Sequence, residues 1–497
     1  MPVADQRPNI ILITTDQQRG DSLSCDGNPC CETPFLDDLA SQGARFPHAY
    51  TSVPSCIPAR TGLYTGMAPW NHGQLGMVGL TDREYPHTMA GELTAAGYQT
   101  RAVGKLHVYP QRKQWGFQHV LLDESSRRES ATFISDYHQW FEEHKDGPYG
   151  YRDHAIDWNS WMARPSHLPE HLHPTSWTSL EGRRFLSNRD ETKPFFLYLS
   201  FARPHSPYDP PQPYFDQYDR RDDISLPVVG DWAGIYEGGA RRDDPNAWRA
   251  DRSLAERRRA RVGYYGSVTH IDHQIGLFLY ELSALGLLDN SLIVFTSDHG
   301  DMVGDHHLWR KTYAYEGSAR VPFIVRPPRS LGLEPGQVID QTVELRDVMP
   351  TLLEAAGVEI PGTVDGASVL PLLRGETAGW RDYIHGEHCT CYSPMQENHY
   401  VTDGHEKLIW LPRLDRVQFF NLDEDPLEEH DRAADPAYAE RCERWRQRLI
   451  AELLPREDGL TDGERLLPPT GPPRQFSPNH EQYVVGRRYE WKPRHKA

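Results

Sequence analysis

Three stretches of this chain are apolar almost without interruption, and each runs into a residue that can do chemistry. Asn9-Ile-Ile-Leu-Ile-Thr-Thr15 meets Asp16, Pro194-Phe-Phe-Leu-Tyr-Leu-Ser-Phe201 leads to His205, and Leu292 to Ser297 meets Asp298. A strand with one wet face alternates apolar and polar residues, whereas a continuous run marks a strand buried on both faces, as in parallel sheets covered by helices. Helical segments are predicted over residues 33–43, 88–97, 176–189 and 256–287, with Gly43, Gly97 and Gly286 as stops. Residues 99–103 read as a further strand before Gly104-Lys105-Leu106-His107. This alternation predicts an α/β sandwich with a mainly parallel central sheet. Such sheets place their sites at the carboxyl ends of strands. Asp16, Lys105, His205 and Asp298 all fall just past predicted strands, so one shared site is expected there.

The pattern changes after Pro371-Leu-Leu-Arg-Gly375. Residues 383–388, 398–402, 406–411 and 417–422 read as four short strands, joined in part by Thr402-Asp403-Gly404-His405 and by residues 412–416, and a helix is expected over 436–454. The predicted division is a catalytic α/β domain over 1–375, a small C-terminal antiparallel subdomain with one helix over 376–455, and a Pro-rich extended tail over 456–497. Within the first domain, residues 123–175 read as an irregular insertion rich in Trp158, Trp161, His167, His171 and His173. Such a segment is equally a substrate-facing lid with aromatic faces for sugars or a surface loop packed by its own rings. The tail ends in Arg487, Arg488, Lys492, Arg494 and Lys496, and is expected either to wrap a neighbouring subunit of a homo-oligomer or to hang loose.

The formal net charge of −18 excludes a general nucleic-acid role, and an anionic substrate must then be received by a local basic pocket. The seven cysteines are odd in number and lack paired Cys-x-x-Cys spacing, so mostly free thiols are expected, with room for one incidental bridge. The first apolar run is too short for a signal core or a membrane span, which gives the expectation of a cytoplasmic protein with no membrane partner.

Residues 55–66 read Ser-Cys-Ile-Pro-Ala-Arg-Thr-Gly-Leu-Tyr-Thr-Gly. Pro58 suits the first turn of a helix, where a missing N–H costs nothing. Cys56 then lies at a helix N-terminus, where unpaired N–H groups favour an anion. Arg60 can present a planar fork to an oxyanion or to the side chain at position 56. A lone cysteine in such a place is more often inert packing than a nucleophile. Here the segment resembles the signature of type I sulfatases, of the alkaline phosphatase-like superfamily, with Cys56, Pro58, Arg60 and Thr65-Gly66 at the expected offsets.

That resemblance covers roughly residues 9 to 430. It implies that Cys56 is oxidised by a formylglycine-generating enzyme to formylglycine, whose hydrate attacks sulfur and forms a sulfo-enzyme. Asp16-Gln17 and Asp298-His299 resemble the family's two metal-ligand pairs, although each acid taken alone can also cap a helix or loop. Many sulfatases carry Asp and Asn where this chain has Gln17 and His299. An oxygen-rich set makes calcium the first choice of divalent cation, and the departure, which lowers the ligand charge and brings in a nitrogen, leaves room for manganese as the alternative. Gln and His at these places also occur in phosphonate monoester hydrolases, which gives a second expected activity, phosphonate monoester or phosphodiester hydrolysis. Gly104-Lys105-Leu106-His107 resembles the family's Gly-Lys-x-His element, with Lys105 on a sulfate oxygen and His107 as base. His205-Ser-Pro207 resembles the Pro-His-x-Pro element, with His205 on the sulfate and leaving oxygen, and Lys311 matches the lysine near the leaving group. Residues 316–322 also match a recurring stretch, read as structural. The expected substrate is a sulfate monoester, small or oligosaccharide, with a sulfated carbohydrate preferred over an aryl or choline sulfate. A sugar-binding relative with unmodified Cys56 is the non-enzymatic alternative, and the full set of expected site residues opposes it.

Overall fold

The computed structural model describes residues 7–77, 79, 81–236 and 244–488. The central sheet is built from β1 Asn9–Asp16, β2 Ala44–Arg45, β3 Gln99–Gly104, β4 His119–Leu122, β5 Phe195–Pro204, β6 Ser291–Ser297, β7 Phe323–Arg326 and β8 Gln337–Val338. They lie in the order β8-β2-β7-β6-β1-β5-β3-β4. Every neighbouring pair is parallel except the two made by β7, so the sheet is mainly parallel, as expected.

The helices on this sheet are α1 Pro34–Ser41, α2 Cys56–Thr65, α3 Met89–Ala95, α4 Asp136–His144, α5 Pro174–Asn188, α6 Leu254–Ala284 and α7 Val348–Ala355. Strand β1 shows why its apolar run is continuous. Ile10 and Leu12 face one core with Leu63 of α2, Leu93 of α3 and Leu352 of α7. Ile11 and Ile13 face the other with Leu36 of α1, Trp177 of α5 and Ile275 and Phe278 of α6. Each such side chain contributes about 1.5–3 kcal/mol by leaving water, so both faces must be covered at once. Helix α6 starts with a capping box between Ser253 and Glu256. Just past its end, Gly286 takes a left-handed turn.

A second sheet follows, with β9 Ile384–His388, β10 Asn398–Thr402, β11 Glu406–Leu411 and β12 Arg416–Asn421 antiparallel in sequence order. The last helix, α8 Ala439–Leu453, covers one face through Trp445, Leu449 and Leu453 against Leu408, Trp410 and Phe419. The other face, with Ile384, Tyr400, Ile409 and Phe420, packs on Tyr50, Trp232, Tyr313 and Tyr315 of the larger unit. No helix among the described residues is long and apolar enough to cross a membrane.

Two expectations are corrected, and the cysteine reading is narrowed. The stretch 123–175 is not irregular throughout, because it contains α4, whose Tyr137 and Phe141 pack with Tyr151 and Trp177. All seven cysteines are free, so there is no incidental bridge. The tail to Arg488 neither hangs loose nor extends away from the chain. Gln475 O accepts from Leu75 N at 3.0 Å, Ser477 Oγ donates to Trp70 O at 2.6 Å, and Val484–Arg488 pairs antiparallel with Thr81–Arg83. Lys492, Arg494 and Lys496 lie outside the described residues.

Candidate active site

Strand register brings the two acids together. Strands β1 and β6 pair in parallel from Asn9 with Ser291 to Thr15 with Ser297, so Asp16 and Asp298 leave the sheet side by side. On the other flank of β1, Thr14 and Gly104 both pair with Ser200 of β5, which puts Lys105 at the same edge. A register shift then carries β5 to Pro204 opposite Asp16, and His205 N donates to Asp16 O at 2.9 Å.

Helix α2 points its first residue, Cys56, into this edge. Its N-cap Ser55 is extended and makes no side-chain cap. Instead, Ser55 Oγ pairs with His388 Nε2 at 3.0 Å, from the end of β9. The first-turn N–H groups thus lack a side-chain partner, the usual condition for an anion at a helix start. Cys56 Sγ lies 3.0 Å from Lys311 Nζ, 3.2 Å from His299 Nε2, 3.9 Å from Asp16 Oδ1 and 4.0 Å from Lys105 Nζ.

Arg60 stands one turn along α2, but its fork is not turned on position 56. Nε donates to Asp298 Oδ2 at 2.8 Å and Nη2 to Asp16 Oδ2 at 3.3 Å. Nη1 donates to Lys105 O at 2.7 Å and Ser200 Oγ at 2.9 Å. Arg60 is a buried clamp beneath the two acids. Lys105 Nζ donates to Asp16 Oδ2 and so bridges that acid and Cys56.

His205 donates from Nδ1 to Ser206 O at 2.8 Å and stacks on Trp158 with ring centroids 5.1 Å apart. Trp158 is the point at which the aromatic-rich segment meets the site. His107 is buried and makes no hydrogen bond to Cys56; its backbone N donates to Glu124 Oε1 at 2.9 Å. Gln17, His107 and Thr312 all have left-handed backbone, with φ of 72°, 60° and 87°. Non-glycine residues there cost about 1–3 kcal/mol each and persist only where surroundings dictate them.

Three supporting residues were not singled out in the sequence. Glu124 accepts from the N–H groups of both Leu106 and His107, and so holds the Gly-Lys-x-His turn. Asp301 accepts from Val303 N and Arg310 N at 3.0 Å, from Tyr208 OH at 2.6 Å and from Gln17 Nε2. His388 reaches Ser55 from the second sheet. Only Asp301 carried a usable signal, its place three residues past Asp298.

Asp16, Cys56, Asp298 and His299 offer ligand atoms within 4.8 Å of one another. His299 donates from Nδ1 to Gly300 O at 2.9 Å, which leaves the Nε2 lone pair facing Asp298 Oδ1 at 3.6 Å and Asp16 Oδ1 at 3.9 Å. A lone pair and two carboxylate oxygens turned on one point repel unless a cation or proton sits among them, so this donor set fits a divalent cation. The amide of Gln17 is tied on both sides, Oε1 accepting from Lys311 Nζ at 3.0 Å and Nε2 donating to Asp301.

Electrostatics follow from these contacts. Burial and the Asp16 charge raise the Cys56 thiol, but Lys105, Lys311 and His299 outweigh them and bring it down to about 7. Burial opposes the charge of Asp16, yet Lys105, Arg60 and Lys311 hold it well below the usual carboxylate range. Lys311 is raised despite its burial, by Cys56 and Asp16. Burial keeps His107 and His205 neutral, aided by Arg127 at the first and Lys311 at the second.

Three cationic side chains around two acids and a potential nucleophile suit hydrolysis of an anionic ester, and on a chain of net charge −18 that positive potential is strictly local. Residues 8–358 match the family model described as Sulfatase, and the chain belongs to the sulfatase family. It is a sulfuric ester hydrolase acting on sulfate esters. Residues 304–453 match the model described as N-sulphoglucosamine sulphohydrolase, C-terminal. An arylsulfatase of Clostridium perfringens is 44% identical over 472 residues, which is 93% of this chain and 97% of the relative. Among solved structures, the phosphonate monoester hydrolase of Agrobacterium radiobacter aligns with a TM-score of 0.74 at 24% identity, over 90% of this chain and 95% of that one. A structure in complex with its substrate D-glucosamine-2-N,6-O-disulfate aligns with a TM-score of 0.73 at 22% identity, over 90% of this chain and 98% of that one. At these identities the two structures bear on the fold alone. The 44% arylsulfatase match leaves the phosphonate alternative disfavoured.

Proposed function

We propose that sulfate monoester hydrolysis runs through residue 56 as formylglycine, with a sulfated carbohydrate as the preferred substrate. The observation that carries this reading is Cys56 Sγ at the start of α2, 3.0 Å from Lys311 Nζ and 3.2 Å from His299 Nε2. Sγ stands in for an oxygen of the oxidised side chain, whose hydrate supplies one hydroxyl to attack sulfur and a second whose deprotonation releases sulfate. Asp16, Asp298 and His299, with the Gln17 amide beside them, would hold one divalent cation, calcium first and manganese second. Bound there, the ion supplies positive charge for sulfuryl oxygens.

The remaining work falls to the chain's own groups. Lys105 Nζ binds a sulfuryl oxygen while holding Asp16. Arg60 keeps Asp16 and Asp298 in place from below. Asp298 would take the proton of the attacking hydroxyl, Lys311 Nζ would donate to the leaving oxygen, and neutral His107 would take the proton that frees sulfate. His205, whose Nδ1 donates to Ser206 O, would accept at Nε2 the hydroxyl hydrogen of the departing alcohol once Lys311 has protonated it. Trp158 supports the carbohydrate preference, as an aromatic side chain beside His205. The name of the Clostridium perfringens relative favours an aryl sulfate as the second reading.

Mass spectrometry of the tryptic fragment 46–60, from protein matured by a formylglycine-generating enzyme, tests the nucleophile. Formylglycine at position 56 is expected in active protein, and full activity with unmodified Cys56 would overturn the reading. A panel of aryl, choline and carbohydrate sulfates then ranks the substrates. A homo-oligomer is proposed alongside, and light scattering that gives a monomer would remove it.

A further inference from the structure

Outside the catalytic cluster, three segments bring a second set of polar side chains to one point. His48 lies between β2 and the bridge at Ala49–Tyr50, Asp340 follows β8, and His405 sits at the tip of the β10–β11 hairpin. We propose that His48, Asp340 and His405 form a second metal site, for a zinc-class divalent ion, that staples the C-terminal sheet to the catalytic domain.

The three side chains place donor atoms within 4.8 Å of one another. His48 Nε2 is 3.2 Å from Asp340 Oδ1, and His405 Nε2 is 3.2 Å from Asp340 Oδ2. Donors around a tetrahedral zinc with bonds of about 2.0–2.1 Å stand roughly 3.3 Å apart, which matches the two nitrogen–oxygen distances, one to each oxygen of Asp340. Two imidazoles and a carboxylate, with no thiolate, suit zinc and its late transition-metal neighbours and not calcium or magnesium.

The surroundings are arranged as at a metal centre. His405 Nδ1 lies 2.9 Å from Asp423 Oδ1, so a carboxylate orients this ring and leaves Nε2 for the ion. The two rings approach to 4.7 Å between centroids, close for imidazoles that share a single carboxylate. Their backbones are held in register. Val343 N donates to His48 O at 3.0 Å, and Thr342 Oγ1 donates to Asp403 O at 2.6 Å. Gly404, at φ +92°, lies so close that a Cβ would stand 2.3 Å from the His48 ring. Asp340 is 68% exposed, which gives the ion an entry path and room for a water as the remaining ligand.

Calorimetric titration with zinc chloride, on full-length protein in excess calcium, tests the site. Zinc taken up at the catalytic cluster appears equally in every variant and cancels. Wild type is expected to bind one zinc equivalent more than either Asp340→Asn or His405→Gln, and zinc is expected to raise the melting temperature of wild type more than that of either of these two variants. Asp423→Asn should keep the stoichiometry and weaken this zinc about 10–100-fold. Aryl sulfate turnover without zinc should be unchanged in Asp340→Asn. Equal stoichiometry and equal thermal response in wild type and both ligand variants would overturn the proposal, and the two variants guard against one failing to fold.

Discussion

Two groups beside residue 56 can face a leaving oxygen, and their environments separate their roles. Lys311 is held protonated by Cys56 and Asp16 in the unmodified chain and by Asp16 once residue 56 is oxidised, whereas His205 is held neutral by burial and by Lys311 itself. Lys311→Ala should therefore slow alkyl sulfates, with basic leaving groups, by about 100-fold more than nitrophenyl sulfates. An equal loss on both, read from kcat/KM, would move the proton donor elsewhere. The Cys56 thiol, brought down to about 7, makes its own prediction. In protein expressed without maturation, the rate of alkylation at Cys56 should rise with pH through about 7, and Lys311→Ala should move that midpoint upward. Arg60 is tested by stability as well as by rate. Removing it leaves Asp16 and Asp298 buried without their shared guanidinium. Arg60→Ala should cost about 3–5 kcal/mol in urea denaturation, and a loss under 1 kcal/mol would mean the acids find other partners.

At the scale of elements, local signals were enough where a strand or helix carries its own pattern. The runs that became β1, β5 and β6 were legible because each is buried on both faces, and α6 because its length ends at a glycine stop, whereas its capping box emerged only in the structure. Helix α4 was not legible, since its apolar side rests on Tyr151 and Trp177 and not on a periodic stripe of its own. The tail strand Val484–Arg488 has a partner some 400 residues away, Thr81–Arg83, and nothing local announces it. Gly73 tests how the tail is held. It ends the short helix Pro69–His72 at φ +89°, and a Cβ there would lie 2.5 Å from His480 Cα. Gly73→Ala should cost more than about 1 kcal/mol and speed proteolytic cleavage within residues 475–488, because both backbone strain and a backbone clash arise. Unchanged cleavage would show the tail is held from elsewhere.

For the whole molecule, burial of histidines makes acid a general stress. His72, His270 and His388 are each brought down to about 3, chiefly by burial. Their folded values lie below the unfolded value of 6.5, so between these limits the unfolded chain binds more protons. Stability is fully present above 6.5 and falls as pH drops, by about 1.4 kcal/mol per group per unit. The urea midpoint should therefore be clearly lower at pH 5 than at pH 7, and an unchanged midpoint would contradict neutral burial of these rings. The same distinction between local and distant causes divides what could be read in advance. By itself the sequence determined the mainly parallel sheet, the helix that begins at Cys56, and the set of acids, lysines and histidines waiting at strand ends. Those follow from apolar runs, caps and motifs that act within a few residues. Only the tertiary structure decided that Arg60 lies under the acids, that Gln17 is tied to Asp301, that Glu124 holds the His107 turn and that His388 reaches Ser55 from a second sheet. Those contacts depend on strand register and on which faces pack together, and no window of sequence contains both partners.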